Sequence, residues 1–363
     1  MDATVPAETI KAMVAEIDSQ KTIGEARRAE ILDTLETYEC WAPFFRLLGR
    51  RLADKQKRSL QDYVRAAAVQ SRLLEDVFAA TATCSALVED LEIDYKTFYS
   101  DVLPRIVDLN DWNTEAAILQ GVSGKFKSPK DEVAVLERLC FLFEKKVHNE
   151  DKLAESYEKL LAADQSNIKA LRYFKLAFTH SHQWEEVAAI LAALLKAQLR
   201  PQEVFRAGQE LAAVLLYQLD RPQDAIRVLE DYCTESPLDT STIHFDAYMK
   251  LGDLPGCIRV LRQCLLNVDD NGSRAVLHYR IGNLYSQLGD KTAAEDNFEK
   301  STNLSENIIQ PVESLVSIKL EHLDWTAVRK WMGELQKRIH DEALRNQIED
   351  ALKRLDDGIA ARA

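Results

Sequence analysis

Glycine and proline are scarce: there are 12 and 9 among 363 residues, roughly half their usual shares of about 7% and 5%. Sandwiches, barrels and βαβ folds need many tight turns, and tight turns draw on these two residues. The shortage therefore predicts a chain of long helices. The six cysteines (Cys40, Cys84, Cys140, Cys233, Cys257 and Cys264) include no C-x-x-C pair. That excludes the usual zinc and dithiol motifs and any dense disulfide framework, and the cysteines read as reduced, mostly buried small residues. Long apolar runs are also missing: the stretch 211–217 falls far short of the roughly 20 residues a membrane span requires. Positive charge is in deficit, with 46 Lys+Arg against 59 Asp+Glu and a net charge of −13. Such a field repels nucleic acid and anionic lipid headgroups. Residues 1–6 carry an acid in place of Lys or Arg and lead into no apolar stretch, so no signal peptide and a cytoplasmic location are expected.

Catalytic motifs are lacking as well. Gly121, Gly124 and Lys125 superficially suggest a phosphate loop, but two residues separate the glycines where four are needed, and Phe126 follows the lysine. His180 and His182 stand two apart, with no further ligand placed to complete a tetrahedral metal site. There is no H-E-x-x-H and no G-x-S-x-G. No catalytic residue, cofactor or metal is expected, and the chain reads as a non-enzyme.

What is present is a repeat. From Ala275 to Ser301 the residues Leu277, Ile281, Leu284, Tyr285 and Leu288 fall at helical spacing, and Ala294, Phe298 and Ser301 do so again. Between them lie Gly289, free to take positive φ, and Asp290, a helix N-cap type. With Gly289 as landmark, equivalent turns fall at Glu39, Glu75, Asn110, His148, His182, Asp220, Gly252 and Leu323. Their spacings average about 35 residues, within the range of solenoid repeats. Trp41, Trp112, Trp184 and Trp325 each follow a landmark by two places, at the expected start of the second helix. Pro222 and Pro255 fall near the same start and Pro237 at the second helix's exit, so none interrupts a helix. Cys257 and Cys264 occupy the small positions held by Ala294 and Ser301 in the next unit.

Ile281, Gly282, Tyr285, Gly289, Ala294, Phe298 and Ser301, in that order, resemble the tetratricopeptide repeat (TPR), a helix-turn-helix unit of about 34 residues. Glu306 departs from the pattern, standing where the family usually has Pro. The resemblance is clear from about residue 131 onward and degenerate before it. It implies an all-α, right-handed helical-repeat solenoid of about nine antiparallel helix pairs with terminal capping helices. The expected organisation is degenerate repeats over 1–120, a hinge loop over 121–130, a repeat array over 131–340 and a C-terminal cap over 341–363. That cap carries Leu344, Ile348, Leu352, Leu355 and Ile359 on one stripe.

The resemblance also implies that the first helix of each pair lines a concave groove. In two units its candidate residues are Thr242, Asp246, Met249 and Lys250, then Tyr279, Arg280, Asn283, Ser286 and Gln287. Such a mixture suits an extended segment or a helix from a partner. Arg280 and Asn283 resemble the family's clamp for a C-terminal carboxylate, but Asp246 and Thr242 replace the Asn and Lys that a neighbouring unit should supply. A basic strip of Arg46, Arg50, Arg51, Lys55, Lys57 and Arg58 precedes an acidic run over 75–111. These are either opposed fields that steer a partner or solvated faces that pair with each other. The expected function is a non-catalytic scaffold or adaptor that binds proteins or peptides in its groove, with self-association open. A peptide-responsive regulator and an accessory subunit of an enzyme are the alternatives.

Overall fold

The computed structural model describes residues 7–19, 23–55, 58–197, 199–233 and 237–360. The N-terminal residues 1–6, Lys57 of the basic strip and the side chain of Ile359 lie outside the described residues. Every element among the described residues is helical, as the turn-poor composition predicts. The chain divides into two compact units, Met1–Ala170 and Leu171–Ala363.

In the first unit α1 (Ala7–Asp18) precedes the pair α2 (Glu25–Thr37) and α3 (Trp41–Ala53). The next pair is α4 (Leu60–Ala68), prolonged by a π turn over Val69–Leu73, with α5 (Val77–Leu91). A third combines α6 (Tyr95–Thr97), a π turn over Phe98–Val102 and α7 (Leu103–Ile106) with α8 (Trp112–Val122). The fourth is α9 (Pro129–Leu142), with a π turn over Phe143–Val147, and α10 (Glu150–Ala163). The second unit begins within α11 (Ile168–His180), which is followed by α12 (Trp184–Lys196). There follow α13 (Pro201–Ala213), with a π turn over Val214–Gln218, and α14 (Pro222–Tyr232). After these come α15 (Pro237–Leu251) with α16 (Leu254–Leu266), and α17 (Asn271–Gln287) with α18 (Lys291–Leu304). The last pair is α19 (Gln310–Glu321) and α20 (Trp325–Arg338), and α21 (Glu342–Ala360) packs on α20.

All nine turns inferred from the sequence hold a residue at positive φ. Glu39, Glu75, Asn110, His148, His182, Asp220 and Leu323 lie between 52° and 72°, Gly252 at 69° and Gly289 at 80°. A left-handed residue lets the chain stop one helix and reverse within about three residues. Five turns then close alike: the following N–H donates to the carbonyl five residues back, as Asp290 does to Tyr285 (3.0 Å) and Cys40 to Leu35 (2.8 Å). Three reach six residues back: Asp76 to Gln70, Asn149 to Phe143 and Arg221 to Leu215. Each of these three follows a π turn, whose i→i+5 bonding admits one extra residue. This is one physical source of the uneven repeat spacing.

The second helix starts in a fixed way. Trp41, Trp112, Trp184 and Trp325 are each its first residue. Asp76, Asp111, Asn149, Asp253, Asp290 and Asp324 cap it, each side chain accepting the N–H three residues on. Such a cap contributes about 0.5–2 kcal/mol. Pro222 and Pro255 stand within its first two positions. Pro237, expected at a helix exit, instead opens α15, because α14 has already ended at Tyr232. A missing N–H is harmless at a first turn.

Counting from each left-handed residue, the fifth position on is always buried: Phe44, Ala80, Glu115, Leu153, Val187, Ala225, Cys257, Ala294 and Val328. The ninth is buried in eight turns, for example Leu48, Cys84, Leu119 and Phe298, and Met332 is half-buried in the last. These two rows face the preceding helix and form the core. In α17–α18 the contact is tight, since a Cβ at Gly282 would lie 2.5 Å from the Phe298 ring. The small and aromatic positions of the repeat pattern are thus two sides of one contact. Ser301 closes the same interface by donating its hydroxyl to the Ala275 carbonyl at 2.7 Å. In the terminal helix α21, Ile348 is buried while Leu344 of the same stripe is exposed.

Candidate functional site

The groove candidates lie on α15 and α17 of the second unit. Thr242, Met249, Arg280, Ser286 and Gln287 are exposed, and Asn283 is half-buried. Asp246 and Lys250 are tied to the preceding repeat, and Tyr279 to the second helix of its own pair. Asp246 accepts the Tyr217 hydroxyl at 2.7 Å; burial first, and then this carboxylate, push the Tyr217 phenol up to about 12. Lys250 donates to the Leu216 carbonyl (3.0 Å) and pairs with Asp220 (2.7 Å), closing the preceding turn. Tyr279 packs against Phe298 with ring centroids 5.8 Å apart. The Arg280 guanidinium stands 4.6 Å from the centroid of the Phe245 ring, which links α17 to α15. The face therefore presents one stacked cation, a methionine and several small polar groups. A nearby recess holds His244, whose imidazole burial holds below the usual histidine range.

The basic strip is engaged locally. Arg46 pairs with Asp18 (2.6 Å), and Arg51 with Glu25 (2.8 Å) and Asp62 (2.6 Å). Arg50 donates to the Ile17 carbonyl, Arg58 pairs with Asp90, and Lys55 is exposed. The acidic run is occupied in the same manner: Glu89 pairs with Lys125, Glu92 with Lys127 and Asp108 with Arg72. Asp76, Asp94 and Asp111 cap helices. Among these pairs Arg58–Asp90 joins the two blocks, and the other partners lie elsewhere in the chain. Many of the pairs join residues 30–36 apart, one repeat from the next.

One cluster was not singled out from the sequence. In the third helix pair the fifth position after the turn is Glu115, an acid in a row otherwise filled by apolar or small residues. Glu115 is 7% exposed and accepts the Nε–H of Arg138 at 2.8 Å. The Arg138 guanidinium also lies over the Tyr99 ring (5.4 Å). Beside them opens a cavity of about 400 Å³, bordered by Tyr99, Leu103, Val107, Leu109 and Trp112. A charged residue in a core row is the sequence signal that would have marked it. The region 123–128 between α8 and α9 lies nearby in the chain; there Glu132 accepts the Ser123 hydroxyl (2.6 Å) and the Gly124 N–H (2.7 Å). Among the described residues no group of three His, Cys, Asp or Glu is placed to hold a metal ion, and no helix is long and apolar enough to cross a membrane.

Comparison with known proteins fits this geometry. The family model for the tetratricopeptide repeat matches residues 275–308, which span most of α17, all of α18 and the turn at Gly289. No curated protein sequence matches significantly. Among solved structures, the chain is similar to a tetratricopeptide repeat protein from Parabacteroides merdae (13% identity, TM-score 0.28, covering 81% of this chain and 98% of that one). It is also similar to yeast Tom70 (10%, 0.31, 100% and 66%) and to the TPR domain of P58(IPK) (12%, 0.25, 92% and 98%). Likenesses this distant carry no argument about function. The unit at 275–308 matches the tetratricopeptide repeat, and eight other turns repeat its left-handed residue; the chain is an all-α helical-repeat protein.

Proposed function

We propose that the protein is a non-catalytic scaffold or adaptor, which holds a segment of another protein against the first helices of its repeats, α15 and α17. The observation that supports this is the division of those helices. One side is packed into the core through Ala247, Ile281 and Leu284, while Thr242, Met249, Arg280, Ser286 and Gln287 are left exposed. Helical repeats offer such surfaces as extended protein-binding faces. Met249 adapts its shape to a partner, and an arginine stacked on a ring is held ready to meet a carboxylate or a peptide carbonyl. The net charge of −13 favours protein over nucleic-acid partners.

Affinity capture from native lysate with the wild-type chain and with Met249→Asp plus Arg280→Glu tests the proposal. The expected result is a specific partner retained by the wild type and lost by the variant. A partner held equally by both would refute the assignment to this face, and the absence of any specific partner would refute the scaffold reading.

A further inference from the structure

Four consecutive helix pairs of the second unit leave apolar side chains in the open at the turn between first and second helix. Tyr217 stands three residues before the left-handed Asp220, and Leu251 and Leu288 stand directly before Gly252 and Gly289. Leu320 is three residues before Leu323, which is itself the left-handed residue of the fourth turn. These five side chains are 36–66% exposed. We infer that this edge is a second docking site, which takes an amphipathic helix of a partner protein, apolar on one side and flanked by Lys or Arg. The inference rests on the protein-interaction reading and adds to it a separate site and the chemistry of its partner.

The five side chains share one edge because each helix from α13 to α20 packs on the next. In a stack of antiparallel pairs, every turn from first to second helix falls at the same end. Side-chain contacts fix the order of the turns. Lys250, two residues before Gly252, reaches Asp220 of the preceding turn (2.7 Å) and the Leu216 carbonyl (3.0 Å). Leu254, two residues after Gly252, packs in one cluster with Leu284 and Tyr285 near the end of α17. Lys291, two residues after Gly289, pairs with Glu321, two residues before Leu323. Isolated exposed leucines are common, whereas a run of them at one place in successive repeats marks an interaction surface.

The spacing selects a helix. Helices in contact lie roughly 8–10 Å apart, so successive turns are on the order of 10 Å apart. Two turns of an α-helix rise about 10.8 Å, which lets side chains seven residues apart on one face meet successive turns. An extended strand covers the same step in about three residues, which puts successive side chains on opposite faces. Three steps make roughly 30 Å, the length of a helix of about 20 residues.

The charges choose the flanks of that helix. Asp253, Asp290 and Asp324 each follow a left-handed residue and cap α16, α18 and α20, so a backbone N–H holds each carboxylate at the edge. The cations there are engaged: Lys250 by Asp220, Lys291 by Glu321, Lys319 by Glu295 and Arg221 by Asp224. Arg259 stands 3.9 Å from Asp253. Asp290 and Asp324 have no cationic partner among the described residues. One carboxylate per repeat, in a row beside the apolar one, complements a helix that carries cations along its apolar side.

The test is selection of a random peptide library, of about twenty residues per member, on the wild-type chain with counter-selection on Leu288→Ser plus Leu323→Asn. Both leucines are exposed and Asn accepts positive φ, so the variant should keep its fold, which circular dichroism and thermal melting verify. A second variant, Asp290→Asn plus Asp324→Asn, removes the charges and keeps the caps, because Asn caps as well as Asp. The expected binders become helical on mixing, carry apolar residues at three-, four- and seven-residue intervals, and hold more Lys and Arg than Asp and Glu. They weaken roughly tenfold or more on the leucine variant, in line with loss of central anchors. They weaken by less on the aspartate variant, weaken with added salt, and bind Arg280→Glu unchanged. Binders that stay non-helical, binders without a cationic excess, binders indifferent to the leucine or the aspartate variant, or no binders at all would overturn the site. Peptides lost on Arg280→Glu but kept on the leucine variant would overturn it too, while leaving the groove proposal standing.

Discussion

The pair α17–α18 and the pair α4–α5 perform the same reversal with different chemistry. The first turns on Gly289 after a regular α-helical end; the second turns on Glu75 after a π turn, with its closing bond reaching one residue further back. Both cap the second helix with an aspartate, Asp290 and Asp76. At the ninth position one buries the Phe298 ring against Gly282, and the other buries the thiol of Cys84. What must be kept is the left-handed residue and the two buried rows. The residue types that fill them can drift, which is why the family model matches 275–308 and not the earlier pair.

The comparison breaks most visibly at the ninth position. Phe298→Ala should cost about 3–5 kcal/mol in urea denaturation, whereas Cys84→Ala, which removes one sulfur, should cost about 1 kcal/mol or less. Equal losses would mean that the two rows are not equivalent. Next in size is Gly282→Ala, which presses a methyl into the Phe298 ring and should cost about 1–3 kcal/mol. A compensating Phe298→Leu in the same chain should recover part of that loss.

The turns themselves sharpen the comparison with opposite signs. Gly289→Ala should destabilise by about 1–2 kcal/mol, and Glu75→Gly or Leu323→Gly should stabilise by up to about 1 kcal/mol, because an L residue at positive φ is strained and glycine is not. Hydrogen exchange of the two flanking helices reads both effects locally, and a loss of stability on Leu323→Gly would contradict the account. The smallest expected effect is in the ion pairs between repeats. A double-mutant cycle on Lys125 and Glu89, both partly solvated, should give a coupling of about 0.2–1 kcal/mol that fades with salt.

Helix pairs, turn positions and the starts of second helices were legible because they depend on local chemistry: a residue tolerating positive φ, an aspartate cap, a tryptophan or proline in the first turn. Even Glu39, Glu75 and Leu323, poor residue types for positive φ, stand at the places given by extending the period from Gly289. The groove face was legible only as a choice of helix side. That Lys250 and Asp246 bond to the preceding repeat, and that Tyr279 packs on Phe298, depends on partners 19–34 residues away in the chain. The cavity was hidden for the same reason: Glu115 reads as an ordinary helical acid until its row is known to be buried.

The sequence by itself determined that the chain is helical, that it repeats with a period near 35 residues, and where each pair reverses, because propensity, capping and φ preference act within a few bonds. Only the tertiary structure decided which charges remain free and where apolar surface is left open. Those outcomes depend on one repeat meeting the next: the basic strip and the acidic run, conspicuous as charge blocks in the chain, are largely engaged by pairing and capping. The scarcity of glycine that points to helices proved compatible with nine tight turns, because burial of the flanking rows outweighs the strain of holding glutamate, histidine or leucine in a left-handed conformation.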